Sequence, residues 1–431
     1  MLKYFWTVTQ DLFLTVTYAT LIHALLSRLV GKRGRVIHGI CLGVGAAAAF
    51  VLAAMKYTTN LIISSRWNHY MYAVYLALIL IFLILTLIFG RKEGAAPGAG
   101  GVALAVVGGL ISATLILYSL PGVLLYPLSF NTMGNGVFSS YYMERLAGWL
   151  LALLLLLLYA RMLDHCARLV RPCGLCAFAV HGGLLSFGVY CAGRFFVPWV
   201  NGAKWLGWPV RYREVAADFG WASDLMMFSA NYAMLFIWIA LGLAALIAVA
   251  FFCQSTRVTE PYANSAQLRK LRARNRRFRR TAAAALACAA LSLLAMTYVK
   301  AEDTRPVTLS APETYTVSEG KILIPIENVS DGHLHRFEYR TEKNIDVRWI
   351  VVKKPGSASF GVGLDACDVC GNAGYYERSG QVICKRCDVV MNINTIGFKG
   401  GCNPIPLNYE VDGGHLVFDL ADILAGEKEF R

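Results

Sequence analysis

Charge is what this chain has little of. Only 16% of its 431 residues are Asp, Glu, Lys or Arg, where a soluble domain carries about 25%. Acidic side chains are the scarcer kind, 27 against 41 basic ones, while 57% of the chain is hydrophobic. That balance excludes one large water-soluble core and points to transmembrane helices. The net charge of +14 would suggest nucleic acid in a soluble protein. Here the basic residues cluster between apolar runs, so they read as a topology signal and no nucleic-acid partner is expected. The apolar runs also lack an acidic pair or a Glu-rich motif, which weakens a transporter reading. No hydrolytic or transferase motif is found, so any enzymatic role would be redox. The first apolar run has no strong basic segment before it, and its positive flank lies on the wrong end for a cleavable signal. It is expected to be a helix with its N-terminus outside.

Eight runs are long enough to span a bilayer, which takes roughly 20 apolar residues each. They lie at about 8–30, 36–57, 70–90, 102–126, 144–162, 174–200, 228–253 and 281–300. Basic residues punctuate alternate gaps: Gly31-Lys32-Arg33-Gly34-Arg35, then Arg91-Lys92, then Arg161, Arg168 and Arg171, then the dense run Arg269 to Arg280. In an eight-span chain these four gaps share one side, and the positive-inside rule makes that side cytoplasmic. The N-terminus and everything after residue 301 would then lie outside. There is no internal repeat and no long linker, and Gly94-Ala95-Ala96-Pro97-Gly98 is a short turn-rich connection.

After Lys300 polar residues return and apolar ones alternate: Lys321–Ile326, Arg336–Arg340 and Val347–Val352, with a last run His415–Phe418 behind Gly413-Gly414. Period-two alternation between Gly, Asn and Asp clusters is a strand-and-hairpin pattern. The expected organisation is a polytopic α-helical membrane domain over residues 1–300. It is followed, over 301–431, by a small, mainly β extracytoplasmic domain with a four-cysteine metal site.

That site rests on Cys367, Cys370, Cys384 and Cys387, two C-x2-C pairs a short loop apart. Each such turn aims two sulfurs at one centre, and Gly371 after the first pair permits the tight knuckle. Four thiolates in a tetrahedron suit zinc or iron, and they can equally hold an iron–sulfur cluster. The competing reading is two disulfides in an oxidising space. It would leave Cys402 odd and would strain both short loops. Cys402, in Gly400-Gly401-Cys402-Asn403-Pro404, is either a fifth sulfur near the metal or a small buried turn residue. His333 and His335 alternate on an expected strand and are further metal-ligand candidates, against a reading as solvated surface histidines.

The stretch Leu364-Asp365-Ala366-Cys367-Asp368-Val369-Cys370, Gly374-Tyr375-Tyr376, Cys384-Lys385-Arg386-Cys387, Thr395-Ile396-Gly397-Phe398 and Gly400–Pro406 resembles the FtrD-like family of membrane iron–sulfur-containing proteins. The resemblance covers about 70 residues and extends toward His333–Phe337. It implies an accessory role in iron uptake beside an Ftr-type iron permease and a periplasmic metal-binding protein. It also implies an electron-transfer or metal-relay task in a bacterial inner membrane, with Cys367, Cys370, Cys384 and Cys387 holding iron or a cluster. Zinc stays open as the alternative, as a structural module on a membrane scaffold; so does a transporter with the β domain as its lid.

Ionisable residues inside a bilayer are functional candidates by default. His23, His38 and His181, with Arg66 and Arg194, are singled out on that ground, whereas Arg28 can snorkel from a helix end. Paired histidines could bind haem, although no spacing supports it. Cys173-Gly-Leu-Cys176 with Cys166 is read as packing before redox chemistry. The outer loop with Glu214, Asp218 and Asp224 is acidic enough to attract cations weakly, with solvation as the default reading.

Overall fold

The computed structural model describes residues 2–59, 62–90, 98–130, 139–200, 220–305, 307–378 and 380–430. Gly94–Pro97, Arg91-Lys92, Glu214 and Asp218 lie outside them. The described residues fall into two compact units, a helical one ending at Thr304 and a β one beginning at Arg305.

In the helical unit, α1 (Leu2–Leu29), α2 (Lys32–Thr58), α3 (Ser64–Phe89), α4 (Gly98–Leu125), α5 (Ser140–Leu169) and α6 (Cys173–Phe195) are followed by α7 (Gly220–Asn231), α8 (Ala233–Gln254) and α9 (Ser265–Leu294). Eight helices among the described residues are long and apolar enough to cross a membrane. The protein is a multi-pass membrane protein. Helix α1 is the central one: Phe13, Tyr18, Leu21, Ile22 and Leu25 are fully buried in the bundle core. Many residues on α2 and α3, such as Ile40, Phe50, Leu80 and Leu87, instead face outward. Apolar side chains turned to the outside are what a lipid solvent requires. Close approach of α2 to α4 depends on Gly45, where a Cβ would stand 2.7 Å from the Cα of Ala113. Small residues at such crossings are how helices pack in lipid.

The seventh and eighth spans differ from the sequence boundaries. Residues 228–231 end α7, and the chain turns at Tyr232 before α8 begins. The basic run Arg269–Arg280 is not a gap but the first turns of α9, which continues through Ala295–Val299 to Asp303. Its residues are mostly good helix formers. Asn264 caps it, accepting the N–H of Gln267 at 2.9 Å, which satisfies one of the four orphan donors of a helix start.

Among its described residues the β unit holds three antiparallel sheets. One has the order β1 (Thr316–Ser318), β2 (Lys321–Pro325), β9 (His415–Asp419), β8 (Glu410–Asp412); the second is β3 (His335–Arg340), β4 (Asp346–Lys353), β5 (Phe360–Leu364); the third is the hairpin β6 (Tyr375–Arg378), β7 (Gln381–Cys384). Strand β4 organises the unit because side chains alternate across a strand. Val347, Trp349 and Val351 enter one apolar cluster with Ile322, Phe337 and Phe418. Ile350 and Val352 enter another, with Val382, Met391, Ile396, Cys367, Cys370 and Cys384. The cysteine site is therefore built on the back of a strand whose front is the main core.

Candidate metal centre

Both C-x2-C segments fold into the same knuckle. In the first, Cys367 and Gly371 exchange backbone hydrogen bonds of 3.1 and 2.9 Å, and the Cys370 N–H donates to Cys367 Sγ at 3.1 Å. In the second, the Cys384 N–H donates to Val389 O at 3.0 Å and the Asp388 N–H donates to Cys384 O at 2.9 Å. The residue after each second cysteine is left-handed, Gly371 at φ 66° and Asp388 at φ 55°. Glycine takes that region freely, and Asp is one of the few side chains that tolerate it.

Hairpin β6–β7 brings the knuckles together. It pairs Tyr375 with Cys384, and the Lys385 N–H donates to Gly374 O at 2.9 Å. Arg386 Nη1 reaches across to Cys370 O at 3.2 Å. Gly374 sits at φ 84°, and a Cβ there would stand 2.9 Å from the Asp365 carboxylate, so both its turn and its close approach require glycine.

The sulfurs form two overlapping groups. Those of Cys367, Cys370 and Cys402 lie within 4.8 Å of one another, and so do those of Cys370, Cys384 and Cys387. Cys370 belongs to both. Cys387 and Cys402 approach to 3.8 Å between sulfurs. All five are free thiols in this arrangement. Cys402 is brought in by the glycine turn, in which the Asn403 N–H donates to Gly400 O at 3.2 Å. The phenol of Tyr375 holds its carbonyl at 2.6 Å. The loop is tied to β5 by Leu364 N–H to Ile405 O at 2.7 Å and Ile405 N–H to Ala366 O at 3.0 Å.

Five thiols converge, with Cys367, Cys370 and Cys384 buried, Cys402 half-buried and Cys387 exposed. Burial, then the neighbouring thiols Cys387 and Cys384, pushes the Cys370 thiol well up. Burial and Cys387 push Cys402 up to about 11. Burial also acts to raise Cys387, but the Val389 N–H and the thiols of Cys384, Cys370 and Cys402 outweigh it and lower it. Deprotonating several of these thiols in one small apolar space needs a cation to balance the charge. An all-sulfur donor set suits zinc, iron or an iron–sulfur cluster. The residues present fit such a group.

The histidines go elsewhere. Strand β3 starts at His335, so His333 precedes it and the two do not alternate on one strand face. His333 Nδ1 stands 2.8 Å from Glu377, and this contact raises its pKa. His335 is clamped between Glu313 at 3.0 Å and Asp331 at 2.8 Å. Burial lowers its pKa, but those two carboxylates win and raise it. Neither histidine belongs to the converging groups among the described residues. Within the helices, His23 and His38 meet at 3.2 Å between Nδ1 atoms, and His38 Nε2 lies 2.9 Å from Ser112 Oγ. His181 instead faces Phe82 edge-on. Arg194 lies over the Tyr190 ring at 6.0 Å, and Arg66 is near the start of α3. Cys166 and Cys176 are buried in the bundle core, Cys173 less so, and Asp224 is on α7.

Spacing did not reveal what supports both knuckles. Arg336 and Asp365 are 1% and 0% exposed and form an ion pair of 3.0 Å. Arg336 also donates to Ser310 O at 2.9 Å, to Ser310 Oγ at 2.6 Å and to Tyr375 O. Asp365 accepts the Tyr375 N–H at 2.7 Å. Burial raises the Asp365 pKa, against the pull of Arg336, the Tyr375 N–H and Arg348. One buried pair thus holds the strand that feeds Cys367 and the hairpin that feeds Cys384. The only signal for it was an Asp two residues before the first cysteine.

No curated protein and no solved structure matches this chain. Residues 329–430, which contain the five cysteines and the Arg336–Asp365 pair, match the family model described as "Membrane iron-sulfur containing protein FtrD-like".

Proposed function

We propose that this protein is an accessory component of a membrane iron-uptake system, with the β unit as its redox or metal-relay module. The observation that carries this reading is the convergence of five thiols, without carboxylate or imidazole among the described residues, in a segment that matches an iron–sulfur family model. Iron or an iron–sulfur cluster, when bound, supplies one-electron chemistry at such thiolates. The chain's own part is to hold the sulfurs, to tune them and to present one edge. The Cys370 N–H donated to Cys367 and the burial of three thiols tune them, because N–H···S bonds and solvent exposure set the potential of such sites. Cys387 forms the exposed edge, between Lys385 and Arg386 on one side and Val389 on the other. A partner exchanging electrons or metal would approach there. The partner proposed is an iron permease of the Ftr type or a periplasmic metal-binding protein.

The test is metal analysis with an optical spectrum of anaerobically purified full-length protein. Iron at roughly one to four atoms per chain is expected, for a mononuclear site or a cluster. Sulfur-to-iron charge-transfer bands should respond to dithionite. One zinc per chain with no visible band would reject the redox role and leave a structural zinc module, since zinc has a filled d shell.

The reading also requires the β unit to lie outside the cytoplasm, in a bacterial inner membrane. The basic first turn of α2, the C-terminal end of α5 and the run Arg269–Arg280 support it through the positive-inside rule. Alkaline phosphatase fused after residue 310 should be active, and the same enzyme fused after residue 275 inactive. An inactive residue-310 fusion with a stable product would rule out periplasmic partners.

A further inference from the structure

The ends of three helices line an open pocket in the helical unit, well away in sequence from any cysteine of the metal centre. It holds about 290 Å³ and is lined by Ser27 and Arg28 of α1, Arg35 of α2, and His165, Arg168 and Leu169 of α5. Three arginines and a histidine line this one small space. Two observations show that this is a held arrangement. Arg28 Nη1 donates to Ala167 O at 3.2 Å and Val170 O at 2.6 Å, so its guanidinium caps the end of α5. Arg168 is fixed one turn along by Asp164 at 2.5 Å. Asp164 is the neighbouring carboxylate, and it offsets one of the three arginine charges. The basic start of α9 reaches the same end: Phe278 packs 5.6 Å from the His165 ring, and Arg274 lies 5.7 Å over Phe278.

Cations held this close at a membrane surface repel one another and lose water, so they call for an anion. Arginine forks match phosphate oxygens in pairs. Basic pockets between transmembrane helices are where anionic headgroups bind. The volume is at the small end of ligand pockets, which start at about 300 Å³, so it takes a headgroup and not a whole lipid. Leu169 provides an apolar wall at the mouth, and it is exposed. We infer that this cavity is a binding site for the phosphate of an anionic phospholipid, held by Arg35, Arg168 and His165 with Arg28 behind them.

The experiment uses delipidated full-length protein in detergent. Thermal unfolding is followed while dioleoyl phosphatidylglycerol, dioleoyl phosphatidylcholine or inorganic phosphate is added. Phosphatidylglycerol should raise the melting temperature at concentrations where phosphatidylcholine does not. The double variant Arg35→Gln/His165→Gln should shift that response to about tenfold higher lipid, the loss expected for a charge-assisted contact. Arg35→Lys keeps the charge but loses the fork, so its response should fall between those of the unaltered protein and the double variant, a partial rescue that a merely damaged fold would not give. Arg272→Gln, an exposed arginine of α9 outside the cavity, should respond as the unaltered protein does. If inorganic phosphate reproduces the stabilisation and the double variant removes it, the site is a phosphate site supplied from solution. An equal response to both lipids, or one unchanged in the double variant, overturns the proposal.

Discussion

Full-length protein carrying Cys370→Ser, purified anaerobically, is expected to contain no stoichiometric metal, while Cys402→Ser retains it at lower affinity. The two sulfur groups overlap at Cys370 alone, so removing that sulfur breaks both. Cys370 is also buried, and a serine hydroxyl there would be a poor replacement for a thiolate. Cys402 stands 3.8 Å from Cys387, next to the one exposed sulfur of the set. Its loss leaves the two knuckles intact. If it acts as an outer partner to the four knuckle sulfurs, the cost should be about 10–100-fold in metal affinity. Metal content by mass spectrometry, with a chelator competition to rank affinities, reads both variants. A fully loaded Cys370→Ser protein would show that the shared sulfur is dispensable. A Cys402→Ser protein as empty as Cys370→Ser would make Cys402 a ligand in its own right and require a five-sulfur site.

Why the knuckles were legible and Cys402's place was not follows from the range of the contacts involved. A C-x2-C turn is local: four residues, a left-handed residue after them and a hairpin between the two turns set its geometry. The spacing of Cys367, Cys370, Cys384 and Cys387 therefore carries the information itself. Cys402 joins them through contacts between distant segments, such as Leu364 to Ile405 and Tyr375 to Cys402, and no local pattern records those. Strand β5 was missed for a related reason. Its sequence, Phe-Gly-Val-Gly-Leu, looks like a loop, but Gly361 and Gly363 are there because Ile396 and Pro404 occupy the space of a Cβ. The helical spans were visible because each carries its own run of apolar residues. The helical state of Arg269–Arg280 was not, because a basic run between apolar ones reads as a connection. The histidines are a separate case. Alternate spacing suggested a shared target, whereas Glu377, Glu313 and Asp331 take them in different directions.

Arg336→Leu is expected to be the most damaging single substitution in the β unit outside the cysteines. Removing one partner of a buried ion pair costs about 3–5 kcal/mol, because the other charge is left buried without compensation. A domain's whole stability is about 5–15 kcal/mol, so this loss alone can take the unit to the edge of unfolding. The substitution also strips donors from Ser310 and from the Tyr375 carbonyl. Asp365→Asn keeps the size of the side chain but leaves the Arg336 charge unbalanced, and it should be nearly as harmful. The double variant Arg336→Leu/Asp365→Leu removes both charges of the pair, leaving the partly exposed Arg348 without its 3.4 Å partner. It should still be less destabilised than the sum of its parts, since no fully buried charge is left uncompensated. Hydrogen exchange of the β3, β4 and β5 amides in detergent-solubilised full-length protein gives the stability of this unit directly. Metal content measured on the same samples reports the knuckles. Because Asp365 holds Tyr375, the partner of Cys384, both readouts should fall together in each single variant. Unchanged exchange in Arg336→Leu would show that the pair does not hold the unit. Normal stability with lost metal would instead place its role at the metal centre alone.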